Sequence, residues 1–150
     1  ISLGLVGSEM CIRDRFLPVF VKDLKMAKKL AKINKSQEEI LKMSWPGKIT
    51  AILKRKKSKK QIFGVDKETI ALRVPNFPPL NFILENLDFP LSATSANLSG
   101  FPPSNDPSEI KKIFLNKKEI DLIVDGGKLP SSKPSVILDL TFDPPKILRV

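Results

Sequence analysis

At 150 residues, 41% of them apolar and 28% charged, the chain has the size and make-up of one ordinary globular domain. Lys and Arg total 26 against 16 Asp and Glu, a formal charge of +10 that favours anionic partners without naming one. His is absent and Cys11 is the one cysteine, which excludes histidine triads, histidine metal sites, multi-cysteine zinc sites and an internal disulfide.

No apolar run approaches the roughly 20 residues of a membrane helix, so a cytoplasmic protein with no membrane contact is expected. Residues 1–15 read as a non-native leader. They lack the Lys that dominates the rest and show no period of 2 or 3.6. Arg13 and Arg15 follow the apolar stretch, whereas a signal peptide carries its charge in front. The domain proper is then 16–150, and Cys11 carries no functional weight.

Leu17–Val21 reads as a short buried strand. From Asp23, a plausible N-cap, the apolar period becomes helical: Leu24, Ala27 and Ala31 form one row and Met26, Leu30 and Ile33 another. A second helix is expected from Ser36, because Ser36 and Glu39 have capping-box spacing. Trp45-Pro46-Gly47 stops it. Ile49–Leu53 is a strand running into Lys54–Lys60, where only Ser58 is uncharged. That run reads as the exposed tip of a hairpin with Thr69–Val74, with a nucleic-acid patch as the alternative. No aromatic residue is interleaved in it, so base stacking is not indicated.

Pro75, Pro78 and Pro79 lead into a helix around Leu80–Leu87, and Phe89–Ala93 is a short strand. Asp106-Pro107-Ser108-Glu109 starts another helix: a cap, Pro at the first helical position, Glu at the third. Asp121–Val124 is expected as a strand turned by Asp125-Gly126-Gly127. Ser135–Leu140 and Lys146–Val150 close the chain as strands. The sum is a single α/β domain around one twisted mixed sheet.

Four segments at strand ends hold chemistry: Thr69–Arg73, Ala93–Gly100, Ser135 and Arg149. They offer Arg, Ser, Thr, Asn and backbone N–H, which bind phosphate and carboxylate rather than shuttle protons. Ser95, Asn97 and Ser99, spaced by two, can aim at least two groups at one anion. On local pattern the same segment also fits an ordinary turn with a helix cap, and Arg149 a surface residue near a terminus. The residues by themselves stop at a basic α/β domain with an anion pocket.

Trp45-Pro46-Gly47-Lys48-Ile49-Thr50, Thr69–Pro75, Ala93–Gly100, Val124–Gly127, Pro134–Leu140 and Ile147–Arg149 occur in that order. Together they resemble the YrdC/TsaC family of threonylcarbamoyl-AMP synthases over 16–150. The resemblance implies a YrdC-like twisted mixed sheet flanked by helices. It implies L-threonine, bicarbonate or CO2 and ATP as substrates, with Mg2+ accompanying the nucleotide, and threonylcarbamoyl-AMP and diphosphate as products. The product serves tRNA threonylcarbamoyladenosine synthesis, so tRNA or double-stranded RNA and the downstream threonylcarbamoyl-transferase proteins are implied partners. By position, Thr69, Ser95, Asn97 and Arg149 correspond to ATP contacts, and Arg73, Ala93 and Ser135 to threonine contacts. Thr50 belongs to the turn near the cleft. No residue is assigned as catalytic or as a metal ligand.

Departures from the pattern shape the expectation. A Pro-Thr-Glu-Thr-like turn and a Lys-x-Arg phosphate grip should precede Phe16 and do not, so the domain is expected to be incomplete at its N-terminus and inactive alone. Pro103 stands where a small hydroxyl is common, with Ser104 beside it. Val136 replaces Thr, and Lys48 replaces Pro.

Overall fold

A computed structural model describes residues 17–57, 67–98, 100–115, 117 and 120–150. The expected leader, Cys11, the basic tip beyond Lys57 and Ser99 lie outside the described residues. The elements in order are β1 (Pro18–Phe20), α1 (Leu24–Leu30), α2 (Lys35–Ser44), β2 (Ile49–Lys54), β3 (Thr69–Arg73), α3 (Pro78–Glu85), β4 (Leu91–Ser92), α4 (Pro107–Phe114), β5 (Val136–Asp139) and β6 (Lys146–Arg149).

Helix boundaries follow local chemistry. The Asp23 carboxylate accepts from the Met26 N–H at 2.6 Å and opens α1. The capping box of α2 is formed by Asn34 and Gln37 rather than by Ser36 and Glu39. Asn34 Oδ1 accepts from Gln37 N at 2.8 Å and Gln37 Oε1 from Asn34 N at 2.9 Å. Asn caps as well as Ser, so two overlapping signals competed and the earlier one won. α4 starts at Asp106 and Pro107, as its sequence requires.

The strands form one mixed sheet in the order β4-β1-β3-β2-β5-β6. β1 runs parallel to β3, and β2 parallel to β5; the other neighbours are antiparallel. β2 and β3 are the expected hairpin, paired from Ala51–Leu72 to Lys54–Thr69. Asp121–Val124 is not a strand: residues 120–135 carry no regular structure, and Leu122 and Val124 stay exposed. A β-prone run without a neighbouring strand has no ladder to complete.

Alternation then divides the sheet. Val19, Ala51, Leu53, Ile70 and Leu72 point to one face and pack with Met26, Ala27 and Ala31 of the α1 segment and Leu41 of α2. Each fully buried Leu or Ile there contributes about 1.5–3 kcal/mol of transfer free energy. Pro18, Phe20, Thr50, Ile52, Thr69, Ala71 and Arg73 occupy the alternate positions, so their side chains belong to the opposite face. Ile52 and Ala71 are buried on that second face but are not part of the helix-packed cluster.

Candidate functional site

Every strand-borne residue singled out in the sequence falls on this second face. Phe20 pairs with Arg73, Thr50 with Ile137, and Ile137 with Arg149. One step beyond the Ala51–Leu72 pair, Thr50 lies opposite Arg73. Phe20, Arg73, Thr50 and Arg149 thus stand in one row across the sheet, with Ser135 just ahead of β5. Strands are about 4.8 Å apart, so the backbones of Arg73 and Arg149 are separated by roughly 14 Å. Two extended Arg side chains can span that distance toward one ligand.

The turn between α2 and β2 sets the posture of Arg73. Trp45 Nε1 donates to Ile49 O at 2.9 Å, and Gly47 N to Val74 O at 2.9 Å. Arg73 Nε donates to Gly47 O at 2.8 Å, and its guanidinium lies 5.8 Å from the Phe20 ring centroid. With Nε held, the two terminal nitrogens have no partner among the described residues, and they form the end of the fork that grips a carboxylate in two places. Burial pushes the Arg73 pKa down from its usual value, yet an arginine remains charged. Gly47 has no substitute here: a Cβ would sit 2.4 Å from Ser44 O.

Ser135 is the second focus. Its backbone carbonyl accepts from Arg149 Nε at 3.0 Å and Nη2 at 2.8 Å. Its hydroxyl lies 3.2 Å from Arg149 Nη2 and 2.9 Å from the Thr50 hydroxyl, which is itself 1% exposed. The adjoining Val136 N–H donates to Lys48 O at 2.9 Å, tying this segment to the same turn that holds Arg73. Arg149 is therefore a held side chain, although its strand is exposed.

The remaining expected residues lie further along the face. Ala93 N donates to Pro18 O at 2.8 Å, which puts Ala93 level with Ala71, two residues down the sheet from Arg73. Thr69 is four residues from Arg73, about 13 Å at the usual strand rise. Ser95 is exposed in the loop after β4. Asn97 turns inward: its Nδ2 donates to Leu98 O at 3.0 Å and Phe101 O at 2.7 Å. Its Oδ1 is buried without a partner among the described residues, and it is the acceptor atom of this amide. Ser104, the hydroxyl beside Pro103, is occupied by Glu109 and by Asp106 N at 3.1 Å.

The structure thus unites Arg73, Ser135 and Arg149, and adds Thr50 and the Gly47 carbonyl. Thr69 and Ala93 share the face at its other end, and Ser95 lies in the exposed loop that follows β4. A cavity of about 360 Å3 opens elsewhere, between α1, α2 and α3, lined by Leu24, Leu41, Trp45, Pro46, Val74 and Leu84 among others, and none of the expected site residues lines it. The part of Gly47 was hidden because a Trp-Pro-Gly sequence announces a helix stop, not a carbonyl aimed at an arginine four strand positions from Thr69.

Among the described residues no helix is long and apolar enough to cross a membrane, and no three His, Cys, Asp or Glu side chains converge to hold a metal ion.

The Sua5/YciO/YrdC domain family, whose model is described as "Telomere recombination", matches residues 11–150, starting inside the stretch read as a leader. The uncharacterized protein YciO of Escherichia coli is 38% identical over 112 residues, covering 73% of this chain and 53% of that protein. A putative threonylcarbamoyl-AMP synthase of Methanocaldococcus jannaschii is 36% identical over 134 residues, covering 89% of this chain and 60% of its own length. The crystal structure of P. abyssi Sua5 complexed with L-threonine superposes with a TM-score of 0.76 at 29% identity, over 89% of this chain and 39% of that one. The chain spans about half the length of the curated relatives it matches. A family model that spans every strand of the described sheet makes this chain a member of the Sua5/YciO/YrdC family.

Proposed function

We propose that this domain serves threonylcarbamoyl-AMP synthesis, holding L-threonine and ATP on the open face of its sheet. The observation that carries the reading is the shared row of Arg73, Thr50 and Arg149 with Ser135: Arg73 is held by the Gly47 carbonyl, Ser135 by Thr50, and Arg149 by Ser135. It is supported by the relatives that bear the synthase name and by the neighbour solved with L-threonine.

In this reading the free fork of Arg73 takes the amino acid carboxylate, with Ser135 and the Ala93 backbone beside it. Thr69, Ser95 and Arg149 face the nucleotide, and Asn97 shapes the loop between them. The threonine amine takes up CO2, the carbamate oxygen attacks the α-phosphorus, and diphosphate departs. The protein positions two anions and offsets charge developing at phosphorus, which needs fixed cations and N–H or O–H donors rather than a proton-transfer residue. Mg2+ would arrive on the ATP phosphates as part of the substrate, where it neutralises charge on the leaving diphosphate.

The test has two arms. Calorimetry on the chain should show L-threonine binding, and a chain extended at its N-terminus with a family Lys-x-Arg segment should convert labelled threonine, bicarbonate and ATP to threonylcarbamoyl-AMP with equimolar diphosphate. Failure of both chains to bind threonine overturns the reading.

A second reading, attachment to an RNA backbone, is favoured by one observation. Exposed Lys32, Lys54 and Lys56 are gathered where Lys32 N meets Lys54 O and Lys56 N meets Leu30 O, both at 2.8 Å. Affinity for duplex RNA should then fall steeply with salt. A flat salt dependence removes it.

A further inference from the structure

The hydroxyl pair beneath the candidate site has a direction that follows from counting donors. A hydroxyl carries one proton and two lone pairs, and a guanidinium can only donate. Arg149 Nη2, 3.2 Å away, therefore occupies one lone pair of Ser135 Oγ. Thr50 is 1% exposed, and among the described residues the Ser135 hydroxyl, 2.9 Å away, is the only partner its Oγ1 has. A buried hydroxyl proton left without an acceptor is costly, so Thr50 donates its proton to Ser135 and takes the second lone pair. The Ser135 proton is then excluded from both neighbours and turns to the side left to it, where Ser135 keeps 8% exposure.

We propose that Thr50 is a positioning residue that, with Arg149, makes Ser135 a one-way hydrogen-bond donor to an anionic oxygen of the bound substrate. Two donors polarise the Ser135 O–H bond and so strengthen the bond it gives. Thr50 touches no ligand itself; it acts through Ser135. This rests on the reading above only in naming threonine as the natural source of that oxygen, so the probe is chosen to be independent of it.

Acetate, a bare carboxylate, is titrated into the chain while the Ser135 and Val136 amide signals are followed by NMR, and L-threonine is titrated separately. In the native chain both amides should shift with saturable acetate binding. Ser135→Ala, which removes the bond to the anion itself, should weaken acetate about tenfold, and Thr50→Val, which keeps the shape and removes only the donor behind Ser135, should weaken it about threefold. Thr50→Ser should restore it. Because Thr50 acts only through Ser135, the double variant should be no worse than Ser135→Ala alone, which a merely structural role for Thr50 would not produce. Acetate binding that shifts Ser135, with no threonine binding by either the native or the N-terminally extended chain, supports this proposal and overturns the proposed function. Equal acetate affinity in Thr50→Val, failure of Thr50→Ser to rescue, or no acetate shift in the native chain overturns the proposal.

Discussion

The two faces of the sheet are made by the same strands and obey different rules. On one, Val19, Leu53, Ile70 and Leu72 meet α1 and α2 in an apolar cluster with no hydrogen-bonding demand of its own. On the other, Thr50, Ser135 and Arg149 are joined by directional bonds of 2.8–3.2 Å, and Arg73 is held by the Gly47 carbonyl at 2.8 Å. Adjacent residues, Leu72 and Arg73 or Thr50 and Ala51, serve opposite purposes because the side-chain period of a strand is two. The packed face supplies stability and the polar face spends little of it, so substitutions should separate the two cleanly.

Leu72→Ala should give the largest effect, about 2–5 kcal/mol of stability in urea unfolding, by leaving a cavity against α1 and α2. Threonine affinity of the folded fraction should hardly change. Arg73→Ala, the next residue, should do the reverse: threonine affinity falls about 100-fold with the loss of a two-point charged contact, while ATP affinity moves only a few-fold. Equal losses for the two ligands would remove the threonine assignment of Arg73.

Gly47→Ala tests the seam between the faces. The new Cβ must push on Ser44 O, displacing the turn that binds Val74 with its N–H and Arg73 with its carbonyl. Stability should drop by about 1–3 kcal/mol, as for other overpacked sites, and threonine binding should weaken in the same variant. Unchanged binding would show that Arg73 does not need the Gly47 carbonyl.

The smallest effect is electrostatic. The hydrogen bond from Lys28, then that from Lys42, holds the half-buried Glu38 carboxyl below the usual glutamate range. A lowered folded pKa adds stability above the ordinary value, and that stability is lost as pH falls through the lowered one. Melting curves of the native chain and Glu38→Gln should therefore differ slightly at neutral pH and converge in acid, and salt should shrink the gap.

Much of this arrangement was legible in one dimension. Asp23 and Asp106 announced their helices because a cap is a contact between near neighbours, and the β2–β3 hairpin showed as two apolar runs around a charged tip. Where two local signals overlapped, as at Asn34 and Ser36, the choice between them was not legible. The Asp121–Val124 run misled because strand propensity says nothing about whether a partner strand is present. At the site, resemblance singled out Arg73, Ser135 and Arg149, whereas the Gly47 carbonyl and the direction of the Thr50 proton emerged only in space.

Taken alone, the sequence determined the chemistry on offer: a cationic domain without histidine, rich in guanidinium, hydroxyl and backbone donors, built from alternating strands and helices. Which donors work together was decided by the tertiary structure. Parallel pairing of β2 with β5 sets Thr50 against Ser135, 85 positions away, and the β5–β6 register brings Arg149 onto the same serine. Sequence patterns report neighbours along the chain, whereas a ligand site is set by neighbours across the sheet, and that register follows only when the whole apolar face packs.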